Sequence, residues 1–177
     1  ITSSTQYSQD VWNSEDGLNW TKLTENAGWG NRSQSTLLVF QDKIWLIGGI
    51  GGSSNGREVW NTTDGINWTE VTNDGGFPAG GEYQSFLVYD DKIWLVAGYG
   101  HNQIWYSDNG SSWTNANVTG HWVSKKSQSS VSFDNKFWVL AGCGGTTNFC
   151  NNNGGDSEVW SSTDMINWTK IVDASWR

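Results

Sequence analysis

The sequence predicts an all-β chain, a β-propeller of four-stranded antiparallel blades, with about three and a half blades present. Three observations predict it. A stretch with two tryptophans and a turn is written four times: "DVWNSEDGLNWTKL" (10–23), "EVWNTTDGINWTEV" (58–71), "QIWYSDNGSSWTNA" (103–116) and "EVWSSTDMINWTKI" (158–171). A second element alternates with it, as "STLLVFQDKIWLIGGIGG", "SFLVYDDKIWLVAGYG" and "SSVSFDNKFWVLAGCGG". The spacing is long: Trp12, Trp60, Trp105 and Trp160 lie 48, 45 and 55 residues apart, and Trp45, Trp94 and Trp138 lie 49 and 44 apart. A period near 50 with four strands per unit is the signature of a propeller blade.

The composition agrees. Of 177 residues, 36% are hydrophobic, yet 14 are Trp, 22 are Gly and only 1 is Pro. Disordered chains carry few aromatics. The length suffices for one domain with a core.

Each element follows from its local pattern. Strand A of a blade is "TLLVF", "SFLVY" or "SVSF", and a tight turn at "QDK", "DDK" or "DNK" follows it. Strand B is "IWLIGG", "IWLVAG" or "FWVLAG", apolar enough for burial on both faces between neighbouring blades. A loop of variable length leads to strand C, as in "EVWNT", and a "TDG" or "DNG" turn leads to strand D, as in "INWTEV". Asn and Gly suit that turn because both tolerate positive φ. The unit spans residues 1–177, with a half-blade at 10–23 and blades at about 33–71, 83–116 and 127–171. Most of the tryptophans are expected to be core, because an aromatic buries about 150–250 Å².

The glycine pair Gly48–Gly49 after strand B, the aromatic in strand C and the Trp in strand D resemble the kelch repeat. Later copies read Ala97–Gly98 and Ala141–Gly142, so Ala replaces the first glycine twice. The resemblance covers about residues 10–171 and implies a propeller without implying a function. The turn at Ser14, Asp16, Gly17 and Trp20 is similar to the Asp-box of sialidase-type propellers, one residue short. Asp108, Gly110 and Trp113 keep the longer spacing without the leading Ser. We expect structural turns, with Asp16, Asp64, Asp108 and Asp164 standing one per blade.

Three and a half blades leave strand edges and apolar faces uncovered. The expectations are a piece of a longer propeller, copies that associate to complete a ring, or a small ring closed with help from residues 1–9.

Net charge is −8, from 18 acidic and 10 basic residues. Phosphate backbones would repel such a chain, so nucleic acid is not expected as a partner. No apolar run reaches the length of a membrane span. Cys143 and Cys150 flank "GGTTNF", a spacing unlike a redox or zinc motif. The expectation is a local disulfide, worth about 2–3 kcal/mol in the chain-entropy model; two reduced thiols are the alternative. Asn19, Asn31, Asn61, Asn67, Asn109, Asn117 and Asn167 each open an N-x-S/T triplet and are candidate glycosylation sites. Disulfide and sequons together point to a secreted or cell-surface protein.

Propellers place function on variable loops over a constant scaffold. The B–C loops differ most: "GIGGSSNGR", "GYGHNQ" and "CGGTTNFCNNNGGDS". Arg57, His101 and Phe149 on these loops are candidate ligand contacts. Trp29, Phe77 and Trp122 recur in the D–A connections, with Trp176 as a fourth, and are candidate stacking platforms for sugar rings; packing between blades is the competing role. Arg32 and Lys125 follow two of these aromatics by three residues. No catalytic residue, metal site or cofactor is expected. His101 and His121 sit in a B–C and a D–A connection that need not face the same side, so a galactose-oxidase-like copper site is poorly supported. Arg32, Arg57 and Arg177 do not match each other in repeat position, as a sialidase-like arginine set would require.

The expected function is a non-catalytic extracellular module presenting B–C loops to a protein or glycan, or building an assembly by self-association. The alternative is part of a propeller enzyme, galactose-oxidase-like or glycoside-acting, with its catalytic residues on other blades.

Overall fold

A computed structural model describes residues 9–51, 56–79, 84–98, 101–120, 122, 125–126, 128–140, 142–144 and 157–173. Its sheets are antiparallel meanders in A-B-C-D order. The half-blade is β1 (Val11–Asn13) and β2 (Thr21–Thr24). After β3 (Arg32–Ser33), the second blade runs β4 (Thr36–Phe40), β5 (Lys43–Ile47), then past β6 (Ile50–Gly51) to β7 (Val59–Thr62) and β8 (Thr69–Thr72). The third runs β9 (Phe86–Tyr89), β10 (Lys92–Gly98), β11 (His101–Ser107) and β12 (Thr114–Asn115). After β13 (Lys125–Lys126), the fourth runs β14 (Ser129–Phe133), β15 (Lys136–Leu140), past β16 (Cys143–Gly144) to β17 (Glu158–Ser162) and β18 (Thr169–Asp173). Each of the three complete blades pairs its strands A to B to C to D.

The A–B turns are two-residue hairpins, with Phe40 paired to Lys43 and Phe133 to Lys136. Both central residues take positive φ: Gln41 and Asp42 at 49° and 56°, Asp90 and Asp91 at 47° and 51°, Asp134 and Asn135 at 53° each. That geometry matches the right-handed twist of the flanking strands. The strand-B indole clamps each turn, Trp45 donating to the Phe40 carbonyl at 2.8 Å, Trp94 to Tyr89 at 3.1 Å and Trp138 to Phe133 at 3.2 Å.

The C–D turns are longer than the sequence reading supposed. Residues 63–68 form an Asx-centred loop, so strand D begins at Thr69 and not at Ile66. Asp64 Oδ1 accepts from the Ile66 and Asn67 amides, each at 2.8 Å, and Thr62 Oγ1 accepts from the Gly65 amide at 3.0 Å. Three short-range bonds to one carboxylate or hydroxyl set outcompete a two-residue hairpin. The following indole closes the loop: Trp68, Trp113 and Trp168 donate to the carbonyls of Gly65, Gly110 and Met165 at 3.0–3.1 Å. In the third blade Asn109 holds this place, its Oδ1 accepting from the Ser111 and Ser112 amides. The expected Asp108 is exposed and faces Lys92 at 3.7 Å. Gly17, Gly65 and Gly110 occupy the left-handed position with φ of 72–74°, and Met165 takes it with φ 63°.

The core lies between blades. Phe40, Trp45 and Ile47 of one blade meet Phe86, Ile93 and Leu95 of the next. Trp94 and Val96 meet Phe137, Val139 and Met165 across the following seam. Between half-blade and second blade the seam holds Ala27, Trp29 and Leu46, with Val11, Trp60 and Trp68 against them.

Strand β11 begins at His101, whose backbone pairs with Gly98. The stretch "HNQ", expected in a B–C loop, is therefore strand. The short pairs β3–β6 and β13–β16 are not evident in the sequence; they zip two D–A connections, those of the second and fourth blades, to the B–C connection of the same blade. Among the described residues no helix is long and apolar enough to cross a membrane.

Candidate functional site

Alternating strand direction sends every B–C and every D–A connection to the same end of the blade. The pairings Arg32 to Gly51 and Lys125 to Gly144 show the two kinds of connection meeting. This corrects the expectation that the connections carrying His101 and His121 need not share a side. His101 is exposed there; His121, Phe149, Cys150, Trp176 and Arg177 lie outside the described residues. The Cys143–Cys150 disulfide cannot be placed for that reason, although the Cys143 backbone pairs with Lys126.

The aromatic platforms fall inside the protein. Trp29 is 7% exposed, Phe77 0% and Trp122 1%. Each packs edge-on against the C–D-turn indole of the blade that follows it in sequence: Trp29 on Trp68 at 4.5 Å, Phe77 on Trp113 at 4.9 Å, Trp122 on Trp168 at 4.7 Å. Edge-to-face pairs at this separation are favourable beyond their buried area. A sugar cannot stack on rings so covered, so these three residues pack between blades rather than serve as stacking platforms. Arg57 is also engaged, its Nε lying 3.2 Å from Asp74 Oδ1.

The sequons divide by environment. Asn61 is 9% exposed on β7. Asn19, Asn67 and Asn167 use their Nδ2 groups inside the C–D turns, donating to Asp16, Asp64 and Asp164 at 2.7–2.8 Å. Asn31 and Asn109 are exposed or turn-bound, and Asn117 takes φ 51° with Nδ2 on the Asn115 carbonyl. The same turns hold their carboxyls well below the ordinary value. For Asp16 the main cause is the Asn19 amide, and for Asp64 the Asn67 side chain. Asp164 is lowered to about 2, chiefly by the Asn167 amide.

One departure from the repeat makes a site. On strand C, the indole donates to the side chain two residues before it: Trp12 to Asp10 at 2.8 Å, Trp105 to Gln103 at 3.0 Å, Trp160 to Glu158 at 3.1 Å. Residues two apart on a strand share a face, which makes the bond local. In the second blade Glu58 is drawn elsewhere. It is 2% exposed and pairs with Arg32 Nη2, itself 9% exposed. Arg32 also donates from Nε to the Trp29 carbonyl and from Nη1 to the Gly48 carbonyl, each at 3.1 Å. The guanidinium thus ties the D–A connection to the ends of strands B and C. Its fork geometry suits such a bridge.

Trp60 is left with a buried Nε1–H that finds no acceptor among the described residues. A buried donor without a partner costs about 1–3 kcal/mol, and native proteins seldom retain one. Trp60 lines a cavity of about 500 Å³, together with Gly28, Trp29, Gly30, Asn31, Glu58 and Glu70. Glu70 is exposed and stands directly across the strand pair from Trp60. The register shifts between Val59 and Trp60, as it does before Trp12 and Trp160, so this bulge is a feature of the repeat. An indole with an unused donor and two carboxyl-bearing residues, Glu58 and Glu70, line this one cavity. The signal in sequence was Arg32, an arginine three residues after the D–A aromatic Trp29. Among the described residues no three His, Cys, Asp or Glu side chains gather as metal ligands.

Residues 14–125 match the DUF6242 beta propeller domain family. The solved structure of YjhT is similar with a TM-score of 0.69 and 16% identity, over 89% of this chain and 56% of that one. The chain therefore spans 56% of that protein's length, and at this identity the likeness shows the fold alone. Both findings carry the propeller, and neither singles out the kelch repeat. No curated protein matches the chain.

Proposed function

The chain belongs to the DUF6242 beta propeller domain family, and from that premise we propose that it is a non-catalytic recognition module whose B–C and D–A end binds a neutral glycan. The observation that supports this reading is a buried, unpartnered indole N–H on Trp60, a residue that lines a cavity shared with Glu70. A saccharide hydroxyl accepts from Trp60 and donates to Glu70, while the sugar ring lies along the indole. About 500 Å³ is the size of a small-ligand site and holds a mono- or disaccharide. Arg32 neutralises Glu58, so the cavity keeps acceptor character without two uncompensated charges.

The proposed setting is extracellular, on the strength of the sequons and the Cys143/Cys150 spacing. The kelch-like reading of the repeat rests on Gly48–Gly49 with the aromatic of strand C and the Trp of strand D. The test is calorimetric titration with glucose, galactose, mannose, N-acetylglucosamine and their β-linked dimers. We expect one of these to bind, with Trp60→Phe and Glu70→Gln each weakening it about tenfold, the equivalent of one lost hydrogen bond of about 1.4 kcal/mol. Absence of binding across the panel, or binding indifferent to both substitutions, would overturn the reading.

A further inference from the structure

The cavity beside Trp60 departs from the repeat in a second way, and this departure bears on which ligand it prefers. Directly across the strand pair from each strand-C indole stands Lys22 for Trp12, Glu70 for Trp60, Asn115 for Trp105 and Lys170 for Trp160. Directly opposed residues share a face of the sheet and lie within reach of one another. In the half-blade the lysine completes a set of three. Lys22 Nζ stands 4.9 Å from the centroid of the Trp12 ring and 3.7 Å from Asp10 Oδ2, and it also reaches Glu25 at 3.0 Å. In the fourth blade Lys170 Nζ lies 2.8 Å from Glu158 Oε1, while Glu158 Oε2 accepts from the Trp160 indole. Twice, then, the fold places an acid, an indole and an ammonium at these three positions.

The second blade keeps the acid and the indole and reverses the third charge. Glu58, Trp60 and Glu70 occupy the three positions, and all of them line the cavity of about 500 Å³. Arg32 takes up Glu58 and is held in turn by the Trp29 and Gly48 carbonyls. Asp10 with Lys22 and Glu158 with Lys170 cancel, and Gln103 with Asn115 carries no charge. Glu58, Glu70 and Arg32 leave a net negative charge. Glu70 is exposed, and among the described residues no basic side chain forms an ion pair with it. A carboxylate and an indole, in a blade whose own lysine has been replaced, are the complement of a cation supplied by a ligand.

We propose, building on the reading of this cavity as a sugar site, that it prefers a saccharide carrying a primary ammonium in place of one hydroxyl, with Glu70 as the residue that sets the preference. The neutral parent sugar binds, and the amino sugar binds more tightly. The ammonium takes the place that Lys22 and Lys170 fill in their own blades. The Trp60 Nε1–H still needs an oxygen acceptor, because an ammonium has only donors, so the rest of the sugar keeps its hydroxyl on the indole. The chain's net charge of −8 also attracts a cationic ligand.

The test is calorimetric titration of the full chain with glucose, glucosamine and N-acetylglucosamine, and with galactose and galactosamine, in mildly acidic buffer where the sugar amine is protonated. The amino sugar should be favoured about tenfold over its neutral parent, from one cation–π contact and one exposed ion pair. The N-acetyl sugar, substituted at the same carbon but uncharged, should show no such gain, and added salt should shrink the preference. Glu70→Gln should abolish the preference. Glu70→Lys, which restores the residue of the half-blade and the fourth blade, should invert it. Glu70 is exposed, so circular dichroism should be the same for both variants and the parent chain. An amino sugar bound no more tightly than its parent, a preference unmoved by Glu70→Gln, or an equal gain with the N-acetyl sugar would overturn this inference and leave the sugar site standing. Failure of every sugar to bind would overturn the sugar site and this inference together. Binding of Nα-acetyl-lysine amide through Glu70 with no sugar bound would do the same, and would assign the ammonium to a peptide lysine.

Discussion

Replacing Phe77 with Ala is the substitution that separates packing from recognition most sharply. Phe77 is fully buried and lies edge-on to Trp113 at 4.9 Å and to Phe86 at 5.7 Å. The neighbouring Gly75 leaves no spare room around the ring: a Cβ built there would lie 2.3 Å from Phe77 Cε1. A site this tight collapses poorly around a deletion, so the cost falls in the range for a buried Phe→Ala change, about 3–5 kcal/mol. The lost edge-to-face pairs are inside that figure and not additional to it. Against a typical total of about 5–15 kcal/mol, the loss is a large share of what holds a domain together. For a chain of this size it lowers Tm by about 6–20 °C. Urea unfolding followed by tryptophan fluorescence, with circular dichroism alongside, measures it directly. A change within about 0.5 kcal/mol is what a surface ligand contact would give, and it would refute the assignment of Phe77, Trp29 and Trp122 to the interior.

Three further predictions follow from the same geometry. Gly110→Ala places a Cβ 2.2 Å from the Trp45 ring at φ +74°, whereas Gly17→Ala meets nothing at φ +72°; the first should cost about 1–3 kcal/mol more than the second by urea unfolding. Arg32→Met leaves the buried Glu58 carboxylate without its guanidinium and should cost about 3–5 kcal/mol, most of it recovered when Glu58→Leu is added, as denaturation of the single and double variants will show. Asp16, Asp64 and Asp164 have folded values below the ordinary 3.8, so their contribution is complete above that pH and drains away as pH falls toward about 2. A Tm profile against pH should therefore drop below 3.8, and Asp64→Asn with Asp164→Asn should flatten the drop, since Asn109 already serves in that position.

Much of this architecture could be read from residue pattern, because it is local. The short apolar run in "TLLVF" and the paired turn residues Gln41–Asp42 and Asp134–Asn135 specify hairpins within a few residues of themselves. The C–D turn was misjudged for a physical reason: "TDG" looks like a two-residue hairpin, but Thr62 and Asp64 recruit amides as far as Asn67. Asp108 stands out in sequence because Asp108, Gly110 and Trp113 keep the longer Asp-box spacing, but only the Oδ1 placement matters to the turn, and Asn109 supplies it. The candidate site was hidden because it depends on what is absent from a repeat. Trp60 differs from Trp12, Trp105 and Trp160 only because Arg32, 26 residues before Glu58, claims the acceptor. Burial of Trp29, Phe77 and Trp122 could not be told from exposure until the seams were assembled.

The most direct measurement of the central claim is the indole region of the nitrogen-15 spectrum, titrated with the saccharide panel. The free chain should show the Trp60 Nε1–H resonance upfield of the hydrogen-bonded indoles of Trp68 and Trp113. Saturation with the bound sugar should move it downfield, leaving those two in place. A Trp60 resonance that stays fixed at saturating sugar, or already sits among the hydrogen-bonded indoles, would contradict the site on which the proposed function rests.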